Sequence, residues 1–362
     1  MERLDRIRGS LLAGACGDAL GYPVEFDSGR EIRCRFGEAG VREMVTRDGL
    51  AVVSDDTQMT LFTAEGLLNS LRHGRDASAC VYQSYMDWLQ TQGYTKTHGL
   101  YHQESILLPE QRLHVRRAPG NTCLSALMSG DMGDTEQPIN HSKGCGGVMR
   151  TAPCGMVRAM KNVPEEDAYA LQGAAAAAIT HGHRMGYVPA AMLADLVHGI
   201  LEEDGSSLED LVQSSLNRMC RLFAPEIRAA EGCEADDTPG DGAFAQLLAF
   251  HEMISRAIAL AKTDTPAEEA IGQLGEGWVG DEALAIAVYC CLRFPDSMED
   301  CLSAAVTHKG DSDSTGAIAG NILGAWLGAE AIPQRWLDVL EMRELMERMA
   351  LLLNDAAGED AL

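Results

Sequence analysis

Two runs of small residues at four-residue spacing most constrain how this chain can fold. Gly316, Gly320, Gly324 and Gly328 form one run; Gly9, Ala13, Gly17 and Gly21 form the other. Residues four apart lie on one face of an α-helix, so each run is a smooth stripe that lets a neighbouring backbone approach closely. Cys16-Gly17-Asp18-Ala19-Leu20-Gly21 also echoes Ala319-Gly320-Asn321-Ile322-Leu323-Gly324. The spacing predicts helices over 3–21 and 315–328, packed small face to small face; coincidence in an Ala- and Gly-rich chain is the competing explanation.

The second glycine run is preceded by an acidic loop, His308-Lys309-Gly310-Asp311-Ser312-Asp313-Ser314-Thr315. Asp and Ser cap helix starts by accepting from the first free backbone N–H groups. A cap needs one carboxylate, however, and two carboxylates two residues apart repel unless something positive lies between them. Ser54-Asp55-Asp56-Thr57-Gln58-Met59 repeats this chemistry far away in sequence: hydroxyl, two carboxylates, hydroxyl, then helical spacing. Mg²⁺, Mn²⁺ and Ca²⁺ favour such oxygen donors. Two oxygen-rich helix starts facing each other could share a pair of cations, whereas either motif alone would pass for a solvated, capped turn.

Elsewhere the pattern is helical. Helices are expected at about 56–72, 76–91, 122–130, 165–180, 189–203, 208–222, 243–262, 281–293, 298–306 and 333–355, with at most short strands at 41–45 and 50–53. Loops rich in Gly, Pro and Asp fall at 93–121, 131–147 and 231–242; the acidic run 231–237 reads as a mobile surface loop rather than a third metal cluster. With no linker and no long repeat, an all-α single domain over 1–362 fits best.

Charge and cysteine usage narrow the function. A net charge of −25 argues against nucleic acid or an anionic membrane as partner, since both select basic proteins. The longest apolar runs are too short for a membrane helix. Eleven cysteines without a CxxC pair, with Cys16, Cys80, Cys220, Cys290 and Cys291 in apolar runs, read as buried reduced thiols in a cytoplasmic protein. Arg3, Arg6 and Arg8 before Leu11–Cys16 faintly suggest a lipoprotein leader, but the apolar run is short and Asp18 follows at once.

Two more stretches carry chemistry. Ser142-Lys143-Gly144-Cys145-Gly146-Gly147-Val148-Met149-Arg150 is a glycine-rich loop whose backbone could lie against phosphate oxygens, though it matches neither a P-loop nor GxGxxG. Thr180-His181-Gly182-His183 ends an alanine-rich helix; an i,i+2 histidine pair is poor zinc spacing, leaving His181 as a pocket-edge or helix-capping residue.

Taken in order, Gly17–Gly21 with Pro23-Val24-Glu25, Ser54–Met59, Gly144–Arg150, Thr180–His183 and Gly310–Thr315 resemble the ADP-ribosylglycohydrolase family over roughly residues 5–330. The resemblance implies an all-α fold with a binuclear Mg²⁺ or Mn²⁺ centre at the base of an ADP-ribose cleft. It carries metal ligation to Ser54, Asp55, Asp56, Asp311, Asp313 and Ser314; many relatives have Thr where Ser54 and Ser314 stand here. It carries the mobile glutamate to Glu25, the ADP-ribose loop to Gly144, Cys145, Gly146, Gly147 and Met149, the nucleotide-side histidine to His181, and a cleft position to Asn121. Glu25, Asp56 and Asp311 are the expected catalytic carboxylates.

The implied reaction removes ADP-ribose from a modified protein side chain. Its transition state resembles an oxocarbenium ion, which paired cations and a carboxylate can serve. An acidic cleft would favour an arginine acceptor, with a preference that shrinks as salt rises if a surface field causes it. The implied partners are an ADP-ribosylated protein, the product ADP-ribose and a paired ADP-ribosyltransferase. Hydrolysis of another nucleoside-diphosphate sugar or phosphate ester, and a non-catalytic crystallin-like role, are the competing readings.

Overall fold

In a computed structural model the described residues are 1–95, 104–202, 205–230 and 242–358. They form fifteen α-helices: α1 (Arg3–Gly21), α2 (Gly29–Phe36), α3 (Asp55–His73), α4 (Ala77–Thr91), α5 (Asn121–Ser129), α6 (Glu165–Ala178), α7 (Arg184–Leu201), α8 (Leu208–Ala230), α9 (Ala243–Ala261), α10 (Ala267–Gly272), α11 (Gly280–Arg293), α12 (Met298–Val306), α13 (Ser312–Leu327), α14 (Gln334–Leu337) and α15 (Arg343–Gly358).

The two glycine stripes meet. A Cβ built on Gly9 would stand 2.1 Å from the Gly324 carbonyl, and one on Gly21 would stand 2.3 Å from that of Ser312. The start of α1 therefore lies beside the end of α13, and the helices run antiparallel with backbones in contact. Ser10 Oγ donates to the Asn321 carbonyl and Asn321 Nδ2 donates back to the Ser10 carbonyl, both at 2.9 Å, which satisfies the polar groups on this dry seam. Both helices are buried nearly all round, as core helices of a large protein are.

Asp18, near the end of α1, holds the start of α3. Its carboxylate accepts from the backbone N–H groups of Ser54 (2.9 Å) and Thr57 (3.1 Å) and from the Thr57 hydroxyl (2.5 Å). The first turns of α3 and α13 are thus both fastened to the C-terminal end of α1.

Several expectations need correction. The segments 41–45 and 50–53 form no strand; among the described residues only isolated bridges occur, such as Ala51 with Leu340. Helix α2 falls where no helix was expected, although Ser28 and Glu31 form a complete capping box at its start. Helix α7 begins at Arg184, with the His183 ring accepting from the Met185 N–H, and simply carries Pro189 inside it. The expected 333–355 helix breaks into α14 and α15 because Met342, at φ 59°, takes a left-handed backbone. Cys16, Cys80, Cys290 and Cys291 are buried, but Cys220 is only half-buried. The acidic run 231–237 lies outside the described residues.

Candidate active site

The start of α3 supplies Asp55 and Asp56; the start of α13 supplies Asp311 and Asp313; the turn after α1 supplies Glu25. Some 255 residues separate the two acidic motifs, as subtracting 56 from 311 shows, yet all five carboxylates line one cleft of about 330 Å³. Glu25, Asp311 and Asp313 each place a carboxylate oxygen within 4.8 Å of the others. Asp55 Oδ2 accepts from the Gly120 N–H at 3.0 Å, and Asp313 Oδ1 accepts from the Ser314 N–H at 3.0 Å. Asp311 stands at the cap position of α13, but its side chain makes no capping bond.

This crowding has an electrostatic cost. Burial pushes the Asp55 carboxyl up to about 8 and the Asp56 and Asp313 carboxyls well above the usual range, and the neighbouring carboxylates push the same way. Glu25 rises to about 8, first through burial and then through Asp311, Asp55 and Asp18. Glu25 Oε2 and Asp56 Oδ2 are buried with no hydrogen-bond partner. Buried carboxylate oxygens without donors are expensive. A divalent cation would supply the missing positive charge, and the oxygen-only set of carboxylates with Ser314 suits a hard ion. The residues therefore fit the metal that the sequence motifs imply.

The opposite wall is the glycine loop. Gly144, Cys145, Gly146 and Met149 line the cleft, with His181 and Asn121 beside them. A Cβ on Gly146 would lie 3.1 Å from both Cys123 Sγ and His181 Cε1, so only glycine keeps this wall flat. Cys145 Sγ lies 2.6 Å from Asp311 Oδ2; burial and that carboxylate hold the thiol protonated, which makes it the donor.

All the sequence-predicted site residues line the cleft except two. Ser54 is fully buried, and its Oγ accepts from the Asp56 N–H as the cap of α3. Gly147 packs behind the wall, where a Cβ would stand 2.4 Å from the Gly186 carbonyl. Sequence reasoning missed Phe26 and Trp278. Their rings stack at 5.8 Å and 21° in the lining of the cleft, and they remain 76 % and 38 % exposed. Trp278 is placed by a loop whose Gly277 takes φ 85° and whose amides at 276 and 277 donate to Glu282. Phe26 directly follows Glu25, which was the available signal, but Trp278 lies 252 residues further on (278 − 26) and shares no pattern with it.

The scaffold is all-α and presents two acidic helix starts to a glycine-walled cleft. The family model described as ADP-ribosylglycohydrolase matches residues 1–361, and the chain belongs to that family. It is 25 % identical to "ADP-ribosylhydrolase ARH3" of Danio rerio, over 92 % of this chain and 85 % of the relative. It is 24 % identical to the "ADP-ribosyl-[dinitrogen reductase] glycohydrolase" of Rhodospirillum rubrum, over 96 % of both chains. Among solved structures, an "ADP-ribosylglycohydrolase-related protein complex" superimposes with a TM-score of 0.63 at 26 % identity, covering 98 % of this chain and 99 % of that one.

Proposed function

We propose that this protein hydrolyses the glycosidic bond between ADP-ribose and a modified protein side chain, with arginine as the acceptor. The observation that carries this reading is the Glu25–Asp311–Asp313 cluster, each carboxylate within 4.8 Å of the others, at a cleft with a flat glycine wall. We assign metal binding to Asp55, Asp56, Asp311, Asp313 and Ser314, with Ser54 contributing if its capping bond opens. Two Mg²⁺ or Mn²⁺ ions held there would polarise the ribose hydroxyls and lower the pKa of a bound water.

The protein's own groups supply the rest. Burial and the neighbouring Asp311, Asp55 and Asp18 push the Glu25 carboxyl up to about 8, and cations that offset those neighbours would leave it ionised, able to take a proton from attacking water or to steady positive charge developing on the sugar. Asp55 and Asp56 stay fixed because Asp18 and Gly120 pin the helix start that bears them. Gly144 and Gly146 let the diphosphate lie against backbone, with Asn121 and His181 beside it. Phe26 and Trp278 offer ring faces to a planar guanidinium, a cation–π contact worth about 0.5–2 kcal/mol. The relatives carry two different names at similar identity, so the acceptor assignment rests on the site and not on similarity.

The reaction presupposes a transferase that installs the modification, and we place the protein in the cytoplasm, where its free thiols would stay reduced. The test is release of ADP-ribose from a modified protein with Mg²⁺ or Mn²⁺ and with a chelator. Metal-dependent release supports the assignment; no release from any ADP-ribosyl conjugate at saturating metal overturns it.

A further inference from the structure

Behind the glycine wall lies a cation that the proposed chemistry does not use. Arg150 is fully buried, and among the described residues its hydrogen bonds go to neutral groups: Met59 Sδ, Cys123 Sγ, the Ala176 carbonyl and Thr180 Oγ1. Its guanidinium sits over the Tyr85 ring at 4.3 Å and donates to the Ala176 carbonyl at 3.3 Å and to Thr180 Oγ1 at 2.6 Å. Thr180 is fully buried too, and its oxygen lies 2.8 Å from His181 Nδ1.

The direction of these bonds follows from chemistry. A guanidinium only donates, so Thr180 Oγ1 is the acceptor toward Arg150. Among the described residues Arg150 and His181 are the two partners of that hydroxyl, and a buried hydroxyl proton requires an acceptor. His181 Nδ1 is the acceptor within reach. The imidazole must then carry its own proton on Nε2, because the bond at one ring nitrogen sets the state of the other. Nε2 faces the cleft wall: Cβ atoms built on Gly144 and Gly146 would stand 3.4 Å and 3.3 Å from it. Burial, then Arg150, hold the imidazole down to about 3, so the ring is neutral at physiological pH.

We propose that Arg150 and Thr180 are positioning residues that act through His181, locking its Nε2–H as a fixed hydrogen-bond donor to the ligand held in the cleft. Arg150 orients the hydroxyl, Thr180 sets the tautomer, and His181 makes the contact. Under this arrangement His181 is a binding group and not an acid or base. The proposal rests on the reading of the cleft as an ADP-ribose site.

The test uses the whole protein with ¹⁵N-labelled histidine. Long-range ¹H–¹⁵N spectra report which ring nitrogen of His181 bears the proton, with the signal assigned by its loss in His181→Gln. The expected result is an Nε2–H tautomer in the wild type and in Thr180→Ser, and a mixed or Nδ1–H tautomer in Thr180→Val. In calorimetry with Mg²⁺ present, Thr180→Val should bind ADP-ribose about tenfold more weakly, and Thr180→Ser should restore affinity. A structural role alone would lower the melting temperature without moving the tautomer. An Nδ1–H tautomer in the wild type overturns the proposal, as does a Thr180→Val protein with unchanged tautomer and affinity. Should Thr180→Val fail to fold, the wild-type and Thr180→Ser spectra decide. Should the wild type bind no ADP-ribose, the functional reading fails while the spectra still judge the relay.

Discussion

Gly17 of α1 and Gly316 of α13 touch backbone to backbone: a Cβ on Gly17 would stand 2.0 Å from the Gly316 carbonyl oxygen, and one on Gly316 would stand 2.5 Å from that of Gly17. The contact sits one residue from Asp18, which pins α3, and three from Asp313. Helix packing and the acidic cluster therefore share one seam.

Gly17→Ala should lower the melting temperature and weaken metal-induced stabilisation together. Neither helix can move apart without breaking the Ser10–Asn321 bonds, so the methyl must displace backbone. Overpacking of this kind costs roughly 1–3 kcal/mol. Calorimetric melts with and without Mg²⁺ measure both quantities. A variant that melts like the wild type would show that the seam yields more easily than the contact distances imply.

Asp313→Asn should abolish the rise in melting temperature that Mg²⁺ or Mn²⁺ gives, while leaving the metal-free protein as stable as the wild type or more so. Asp313 is held well above its usual carboxyl range by burial and then by Asp56, Asp311 and Glu25, so removing its charge relieves repulsion. A ligand at a hundredfold its Kd stabilises the native state by about 2.7 kcal/mol, which is the effect to be lost. A full metal-induced rise in the variant would exclude Asp313 from the ion site.

Glu65 gives a pH test away from the cleft. It is buried in α3, accepts from the N–H groups of Ile106 (2.6 Å) and Leu107 (3.1 Å) and from the Ser105 hydroxyl (2.7 Å), and burial raises its carboxyl to about 7. A carboxyl whose folded pKa is raised favours the native state below its unfolded pKa, near 4.5. That contribution is lost as pH climbs to about 7. At 1.36 kcal/mol per pKa unit the loss is on the order of 3 kcal/mol. Glu65→Gln keeps an oxygen for the two amides and removes the ionisation. Its melting temperature should therefore fall less than that of the wild type between pH 5 and pH 8, and parallel curves would refute the assignment.

How much of this was legible beforehand depended on whether a feature is local. The α1–α13 seam could be read because a four-residue period survives in sequence, and the acidic motifs because each is contiguous with a helix start. Asp18 was visible only as part of the glycine motif; its hold on Ser54 and Thr57 is a contact across 36 residues and more, with no pattern to announce it. Ser54 resembled a ligand by residue type, but the same hydroxyl that suits a cation also suits the Asp56 amide. Phe26 and Trp278 come together through irregular loops, where neither period nor capping applies.

The last prediction concerns the acceptor. The sequence suggested a surface field that would draw a cationic arginine conjugate and fade with salt. Among the described residues the cleft lining contains five carboxylates (Glu25, Asp55, Asp56, Asp311 and Asp313) and no lysine or arginine, and all five are buried. Two divalent ions would bring four positive charges against those five, leaving little net field to steer with, and buried charges are screened weakly in any case. On the proposed reading the stacked Phe26–Trp278 pair would select for the cation, since ring faces attract a guanidinium and offer nothing comparable to a serine or a DNA phosphate. Release from arginine-linked conjugates should therefore exceed release from serine- or DNA-linked ones, and the ratio should change little between low and high ionic strength. Trp278→Ala should lower kcat/KM on the arginine conjugate roughly tenfold and leave the serine conjugate nearly unchanged; the Trp278 carbonyl that accepts from the Cys145 N–H belongs to the backbone and survives the change. Side-by-side turnover on the three conjugates decides. A ratio that collapses with salt would return the preference to the surface field, and faster release from the serine or DNA conjugate at both ionic strengths would overturn the arginine assignment while leaving the proposed metal binding untouched.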